Sequence, residues 1–196
     1  MKKALLLFLI LSPLLAFSQS REIAEKLTVY QENKMYELDS NRVVVSAILK
    51  GIKGSKDDLY EKAKDYIAEV YSDHNSELKI DNKIDGILEV ESVSFSFFSY
   101  TAKDTIPVAY HVFYTMRVTI KDGTLHITCS AKDWITEWST IGFGHKVDRS
   151  FIIDCVPIGT KKVFADENKT AEAFLALVDT MHTSIGDLKR VMLSEQ

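Results

Sequence analysis

Proline and cysteine are scarce in this chain of 196 residues, which holds three prolines and two cysteines. No internal repeat, low-complexity tract or Pro- and Ser-rich linker interrupts residues 41–192. Repeat arrays and flexible interdomain linkers carry those signatures in their sequences. Their absence predicts one compact domain, which we place at residues 41–196.

Clustered positive charge is also lacking. Lys2 and Lys3 account for two of the 24 basic residues, and none of the 28 acidic residues lies in residues 1–18, so residues 19–196 carry a formal net charge of −6. Proteins that bind nucleic acid or anionic lipid through charge need a basic surface. The charge balance argues against nucleic acid as a partner and against charge-driven binding to a membrane surface.

Recognisable catalytic motifs are missing as well. The chain has no Gly-x-Ser-x-Gly sequence, and the Gly-rich stretch at residues 51–56 lacks the Gly-Lys-Ser/Thr ending of a phosphate-binding loop. His111 and His126 fall on one face of a predicted hairpin, but eight residues of ladder, about 26 Å, separate them. We therefore predict no catalytic residue, no metal site and no cofactor.

The N-terminus is the most informative part of what is present. A pair of lysines precedes an apolar run, and the small residues Ala16 and Ser18 lie three and one positions before a cleavage point at Gln19. This order is typical of a secretory signal peptide. The run is shorter than the roughly 20 apolar residues of a membrane-spanning helix, and no cysteine at the cleavage point can carry a lipid. We expect residues 1–18 to be removed and the mature chain to be exported, periplasmic or secreted, without a membrane span.

Apolar residues at helical spacing predict two helices, over residues 56–72 and 170–192. Ser55 and Asp58 form a capping-box pattern at the start of the first helix. Thr170 is the expected N-cap of the second. Each helix then has one apolar stripe to bury.

The remaining patterns are shorter. Residues 19–40 are polar and weakly periodic, which indicates an N-terminal extension or a short first element. Alternation predicts a strand over residues 43–50, and Leu78 and Ile80 begin another. Asp85 and Gly86 are a strong turn signal before Ile87. A change of phase in the stretch that follows, up to residue 97, indicates a bulge near Glu91. Residues 98–107 are expected to form a loop.

The clearest signal is a hairpin over residues 108–134, turned by Asp122 and Gly123. A two-residue turn brings the apolar patterns of both strands onto one face. The expected pairs are Ile120 with Leu125, Val118 with Ile127 and Met116 with Cys129. An antiparallel sheet with one apolar face and two amphipathic helices predict an α+β fold, a two-layer sandwich with the helices packed on one face of the sheet.

Both cysteines lie in the apolar phase of their segments, so we expect both side chains to point into the core. In an oxidising compartment Cys129 and Cys155 are a possible disulfide, which would stabilise the fold by about 3 kcal/mol. The alternative is two buried free thiols that pack as small hydrophobic groups.

The order of these parts resembles a known family. The capped helix in residues 54–68 and the Asp-Gly hairpin in residues 116–128 are similar to parts of exported bacterial proteins known as a domain of unknown function with a TBP-like fold. The resemblance covers roughly residues 43–132. It implies an antiparallel sheet with helices on one face and the envelope of a Gram-negative bacterium. It implies no site residues, and it does not imply DNA binding, since a fold does not determine a function.

The hairpin face opposite the apolar one is polar and carries aromatic and cationic residues. Large exposed aromatic residues can mark an interaction patch, so we predict a binding surface on this face and on a loop over residues 135–146. The predicted binding residues are Phe113, Arg117, His126, Trp134, Trp138 and Phe143. The alternative is that residues 135–160 fold back over this face and bury it.

These observations predict an exported, non-enzymatic binding or accessory module of the cell envelope, whose partner is a protein or a glycan. Two functions from other classes remain open. One is an envelope enzyme of unrecognised type that uses His126 or His145 as acid or base. The other is a structural subunit that self-associates through a sheet edge.

Overall fold

The computed structural model describes residues 21–71, 76–102, 106–121, 123–140, 144–155 and 167–194. The predicted signal peptide lies outside these residues. The elements, in chain order, are helix α1 over residues 21–32, strands β1 (Glu37–Asp39) and β2 (Arg42–Lys50), helix α2 (Lys56–Val70), strands β3 (Ser76–Asn82), β4 (Ile87–Ala102), β5 (Ile106–Lys121), β6 (Thr124–Thr140) and β7 (Gly144–Phe151), a 3₁₀ turn (Ile152–Cys155) and helix α3 (Glu167–Leu193). No helix within these ranges is long and apolar enough to cross a membrane.

Antiparallel pairing joins the seven strands into one sheet, in which six follow the order β1-β2-β6-β5-β4-β3 and β7 also pairs with β6. Strand β6 is 17 residues long, and its two halves have different partners on the side away from β5. The first half pairs with β2 and the second half pairs with β7. Strands β2 and β7 therefore lie end to end along β6.

The sheet and the helices share one continuous hydrophobic core, as expected for an α+β two-layer sandwich. Strand β2 buries Val43 and Val45, and the hairpin of β5 and β6 pairs in the predicted register, with Ile120 opposite Leu125. Each fully buried side chain of this kind contributes roughly 1.5–3 kcal/mol relative to an exposed one. The helices cover this apolar face and leave the other face of the sheet, which we call the open face, without a helix among the described residues.

Helix α2 begins as predicted. The Ser55 hydroxyl accepts a hydrogen bond from the Asp58 backbone N–H, and the Asp58 carboxylate accepts one from the Ser55 backbone N–H. These bonds satisfy two amide groups that the first turn of a helix leaves unpaired. The buried residues of α2 are Leu59, Tyr60, Ala63, Tyr66 and Ile67.

Helix α3 buries every residue of its predicted stripe: Phe174, Leu177, Val178, Met181, Ile185, Leu188 and Met192. The expected N-cap was wrong. The helix already includes Glu167, so Thr170 lies inside it, and Thr170 is buried, with 5% of its surface exposed. A threonine is tolerated within a helix as well as at a cap, so its presence alone does not fix the first residue.

The segment expected as an extension or short first element contains a helix that packs on α3. Ile23 of α1 forms a small apolar cluster with Ala171 and Leu175 of α3. Tyr30 donates a hydrogen bond of 2.5 Å to Asp179, and burial, followed by this hydrogen bond, raises the pKa of Tyr30 to about 12. Residues 21–32 therefore contribute to the helical layer.

Strand β4 is irregular, but not at the predicted position. Glu91 pairs regularly with Thr115 of β5, whereas the register shifts at Ser94 and again at Phe97. Each bulge reverses the alternation that follows it. A phase change was therefore correctly expected, and its position near Glu91 was wrong.

The loop expected at residues 98–107 was also wrong. Strand β4 continues to Ala102 and β5 begins at Ile106, with Tyr100 paired to Val108. The two bulges interrupt the alternation of apolar and polar residues, so the sequence pattern does not identify this part of β4 as a strand. The longer β4 and β5 extend the sheet, and Tyr100, Ala102 and Ile106 of the added part pack against the core.

Candidate functional site

A bulge in β6 decides which side chains reach the open face. Val112 of β5 pairs with Trp134, but Tyr114 pairs with Ala131, so two residues of β6, Lys132 and Asp133, stand against a single residue of β5. Beyond this point the alternation of β6 is reversed. Residues of β6 after the bulge that would have faced outward instead face the helices.

This reversal overturns the prediction for Trp134. Its side chain is fully buried, and its ring packs against those of Tyr110 and Phe97 on the helix-covered face. Trp138, two positions further on, pairs with Val108 and packs against the same core. Trp134 lies on the helix-covered face, so its assignment to the binding surface was wrong, whereas Trp138 is only partly buried and lines the second depression described below.

The predicted loop over residues 135–146 was wrong for a related reason. Strand β6 continues to Thr140, and β7 begins at Gly144 and pairs with β6 from Thr140 back to Asp133. Phe143 lies outside the described residues. The β6–β7 hairpin widens the sheet, and its described residues lie beside the open face instead of covering it.

The open face retains the three other predicted residues. Phe113 lies at its centre and is half-buried, while Arg117 and His126 are exposed nearer the β5–β6 turn. Arg117 donates to the Glu89 carboxylate of the neighbouring strand at 3.0 Å. Four residues of strand, about 13 Å, separate Phe113 from Arg117, so these residues do not form one compact site.

A depression of about 320 Å³ surrounds Phe113. We call it the Phe113 depression. Six strands contribute to it, and its lining residues are Arg42, Glu77, Lys79, Glu91, Phe113, Thr115, Ser130, Lys132, Asp133 and Arg149. Its floor combines one aromatic ring with two hydroxyl groups, and its rim is charged.

The charges of the rim are separated. At the β3–β4 end, Lys79 pairs with Glu77 at 2.5 Å and with Glu91 at 3.4 Å. These hydrogen-bonded carboxylates raise the pKa of Lys79. This end therefore carries two carboxylates and one ammonium group.

The opposite end, formed by β2, β6 and β7, is basic. Arg149 donates to the Asp133 carboxylate at 2.7 Å, and its guanidinium group lies 5.0 Å from the centre of the Phe113 ring. Asp133 is almost buried, so this ion pair neutralises a carboxylate that would be costly to bury alone. Arg42 and Lys132 add two further positive charges.

The described contacts of Arg42 and Lys132 are with groups other than carboxylates. Arg42 donates to the Ser130 hydroxyl at 3.3 Å. The Lys132 ammonium group lies 5.4 Å from the centre of the Phe151 ring. Neither residue forms an ion pair with any residue that the structure describes.

A second depression, of about 550 Å³, adjoins the first toward the far end of β5. Its polar groups include His111 and Glu137, whose Nε2 and Oε2 atoms are 2.9 Å apart. His111 and Phe113 are two residues apart on the same strand face, about 7 Å. The two depressions therefore follow each other along the open face.

The side chains grouped here do not resemble a metal site. Within the described ranges, no three His, Cys, Asp or Glu residues are placed to share a metal ion.

Cys129 is fully buried in the core, and burial raises the pKa of its thiol to about 12. The Cys155 side chain lies outside the described residues, so the disulfide and the pair of free thiols both stay predictions. An inert, buried thiol of this kind is not a nucleophile.

Sequence patterns missed the basic end of the Phe113 depression and the pair of His111 and Glu137. Both depend on the β6 bulge, which sets which residues of β6 and β7 lie beside β5. The weak signal for it is the pair Lys132 and Asp133, two consecutive charged residues in an otherwise alternating strand.

Comparison with known proteins gives the family context. Residues 51–132 match the family model described as a domain of unknown function (DUF4468) with TBP-like fold. Among curated proteins, none matches the chain significantly in sequence.

Two crystal structures are similar in fold. A TBP-like protein from Parabacteroides distasonis aligns with a TM-score of 0.62 at 15% identity, over 81% of this chain and 97% of its own. A DUF4468 family protein from Bacteroides ovatus aligns with a TM-score of 0.53 at 15% identity, over 81% of this chain and 90% of its own. At this level of identity the similarity establishes the fold alone.

Proposed function

Because residues 51–132 belong to the DUF4468 family, whose function is unknown, we propose a function from the surface of this chain itself: an exported, non-enzymatic binding module of the cell envelope. The N-terminal sequence supports export, as argued from its charged, apolar and small-residue regions. The net negative charge supports a partner other than nucleic acid. The expected setting is the periplasm or the extracellular side of a Gram-negative envelope.

The Phe113 depression is the observation that carries this proposal. It combines an aromatic ring with arginine side chains, and both residue types are enriched at the centres of protein interfaces. Exposed apolar side chains continue the surface along β7, where Val147 is 57% and Phe151 is 48% exposed. Together with Phe113 they add apolar surface to this side of the sheet, and adjoining apolar side chains at a surface can mark an interaction site.

A protein is the favoured partner over a glycan. Sugar rings commonly stack on bare aromatic faces, but Phe113 and Phe151 each already carry a cation near the ring, Arg149 at 5.0 Å and Lys132 at 5.4 Å. The side chains that a partner can contact at the Phe113 depression and along β7 are therefore mainly charged and apolar. This mixture matches the side chains of a protein surface.

Affinity capture from envelope extract tests the proposal. The purified protein is compared with Phe113→Ser, which removes the ring from the depression, and with Ile84→Ser. Ile84 is 89% exposed at the β3–β4 turn, so the control removes an equally hydrophobic residue outside the open face. A protein captured by the wild type and by Ile84→Ser, but not by folded Phe113→Ser, supports the proposal. Capture that is unchanged in Phe113→Ser contradicts it.

A second candidate function is an enzyme, and the pair of His111 and Glu137 favours it. Their 2.9 Å separation beside a depression is suitable for a general acid or base. This moves the acid/base candidate away from His126, which is exposed and outside both depressions. If an activity is found in the purified protein, His111→Gln is expected to abolish it and His126→Gln to leave it unchanged.

A further inference from the structure

Two of the three cations at the basic end of the Phe113 depression, Arg42 and Lys132, come from the neighbouring strands β2 and β6. Val43 pairs with Ala131, so Arg42 and Lys132 are the next residues at the end of the β2–β6 ladder, and both line the depression. Asp39 of β1 pairs with Arg42, but the described contact of its carboxylate is with the Ser40 hydroxyl, which donates to it at 2.8 Å. Arg42 and Lys132 are both exposed, so an anion from outside the protein can reach them.

The carboxylates that line the depression are already engaged by other cations. Among the described residues that line the basic end, Asp133 is the one carboxylate, and Arg149 donates to it through two nitrogens at 2.7 Å. The acidic residues at the other end of the depression are engaged by Lys79. Arg42 uses one donor on Ser130 and has several others free for a ligand, since a guanidinium group has five.

The basic end also opposes the charge of the whole protein. Residues 19–196 carry a formal net charge of −6, whereas Arg42, Lys132 and Arg149 against Asp133 give this end an excess of two positive charges. A local potential of opposite sign attracts an anionic group to that spot. Exposed Phe151, beside Lys132, offers an apolar contact next to it.

We propose that the basic end binds a carboxylate from an acidic, apolar-containing peptide segment of a protein partner, held between Arg42 and Lys132. The Ser130 and Thr115 hydroxyl groups are placed to hydrogen bond to the same segment. This inference rests on the proposed function and names the chemistry of the partner. An acidic glycan carries the same carboxylate and is the competing occupant that the experiment separates.

The direct test uses fluorescein-labelled hexaglutamate, read by fluorescence anisotropy, with hexaglutamine as the uncharged control peptide. The variant Arg42→Gln/Lys132→Gln is compared with Lys50→Gln/Lys121→Gln. Lys50 and Lys121 are exposed near the β5–β6 turn, outside the depression, so both double variants lose the same charge. Hexaglutamate is expected to bind the wild type and the Lys50/Lys121 variant alike, and roughly tenfold or more weakly to the Arg42/Lys132 variant.

Three results would overturn the inference. One is no difference between hexaglutamate and hexaglutamine. Another is an equal loss of hexaglutamate affinity in both double variants, because an equal loss indicates long-range electrostatic attraction and no specific site. The third is tighter binding of trigalacturonate than of hexaglutamate with the same dependence on Arg42 and Lys132, which assigns the site to a glycan.

The capture experiment separates this inference from the proposed function. A partner lost in Phe113→Ser but retained by folded Arg42→Gln/Lys132→Gln leaves the binding module in place and overturns the carboxylate contact. A partner unaffected by Phe113→Ser contradicts the proposed function itself. Loss of the partner in both variants, with retention in Lys50→Gln/Lys121→Gln, supports both.

Discussion

The indole ring of Trp134 lies edge-on against the phenol ring of Tyr110, with 5.2 Å between the ring centres and 75° between the ring planes. Both rings are fully buried under the helices. The bulge at Lys132 and Asp133 turns Trp134 to this side and places the Asp133 carboxylate beside Arg149. One irregularity in β6 therefore completes the aromatic core and forms part of the basic end of the Phe113 depression.

Replacing Trp134 is expected to destabilise the fold. Trp134→Ala removes a large buried side chain and should lower the free energy of unfolding by about 3–5 kcal/mol. Phe113→Ala, on the half-buried open face, should cost much less. Chemical denaturation of the two variants checks the difference. Similar losses in both would contradict the assignment of Trp134 to the core.

The conservative variant Trp134→Phe refines this prediction. The Trp134 Nε1 atom is buried and has no hydrogen-bond partner in the described structure, and a buried unpaired donor costs free energy. Phenylalanine keeps most of the packing and removes that donor. Its loss of stability should therefore be well below that of Trp134→Ala, as measured in the same denaturation series.

Local patterns predicted the elements whose spacing is regular. The turn after Lys121 and the pairs from Ile120 to Met116 follow directly from alternation, and the capping box of α2 follows from Ser55 and Asp58. Alternation carries no information across a bulge, because one extra residue reverses every side chain that follows. This is why Trp134 was placed on the wrong face.

The candidate site was less predictable than the fold. Phe113 was identified because it belongs to the regular part of β5. Arg42 and Arg149 come from strands β2 and β7, which meet along β6 only in the folded sheet. That residues more than a hundred positions apart line one depression depends on strand order, which the sequence pattern of one hairpin does not contain.

Gly86 is expected to be intolerant of a side chain. It follows the β3–β4 turn with φ +70°, and a Cβ atom there would lie 2.4 Å from the Ile120 carbonyl oxygen. The same backbone approach lets the Gly86 carbonyl accept the Ile120 N–H at 2.7 Å. Gly86→Ala combines a disfavoured conformation with a backbone clash and should lower the free energy of unfolding by more than about 1–2 kcal/mol.

Gly186 provides the matched control for Gly86. It lies within α3, and a Cβ atom there would meet no atom within 4 Å. Gly186→Ala should raise stability by up to about 1 kcal/mol, because alanine is the better helix former. Thermal unfolding of both variants checks that Gly86→Ala lowers and Gly186→Ala raises the stability of the fold. A Gly86→Ala protein as stable as the wild type would contradict the close approach of β4 and β5 at this turn.

Cys129 is expected to be unreactive in the folded protein. Burial raises its pKa to about 12, so almost no thiolate is present near neutral pH. In a Cys155→Ser variant, a thiol reagent at pH 8 should label Cys129 only after denaturation. Rapid labelling of the folded variant would contradict the burial of Cys129.

In the wild type, alkylation under denaturing conditions without reductant tests for a disulfide between Cys129 and Cys155, since a bridged pair takes up no label.

The capping box of α2 is expected to make stability depend on pH. Hydrogen bonds from Ser55, first from its side chain and then from its backbone, lower the pKa of Asp58 below 3.8. A carboxyl group whose pKa is lower in the folded than in the unfolded state stabilises the fold above its unfolded pKa, and this contribution is lost as the pH falls through the folded pKa. Ser55→Ala removes the cap and should cost about 1 kcal/mol at neutral pH.

The difference between Ser55→Ala and the wild type should therefore shrink on acidification, because protonated Asp58 no longer accepts the hydrogen bonds. Ser55→Thr keeps a hydroxyl cap and should retain most of the wild-type stability and pH dependence. Urea unfolding at pH 7 and at acidic pH, with NMR titration of the Asp58 carboxyl group, measures both effects. A Ser55→Ala protein that keeps the low pKa of Asp58 would show that Ser55 does not stabilise the ionised carboxylate.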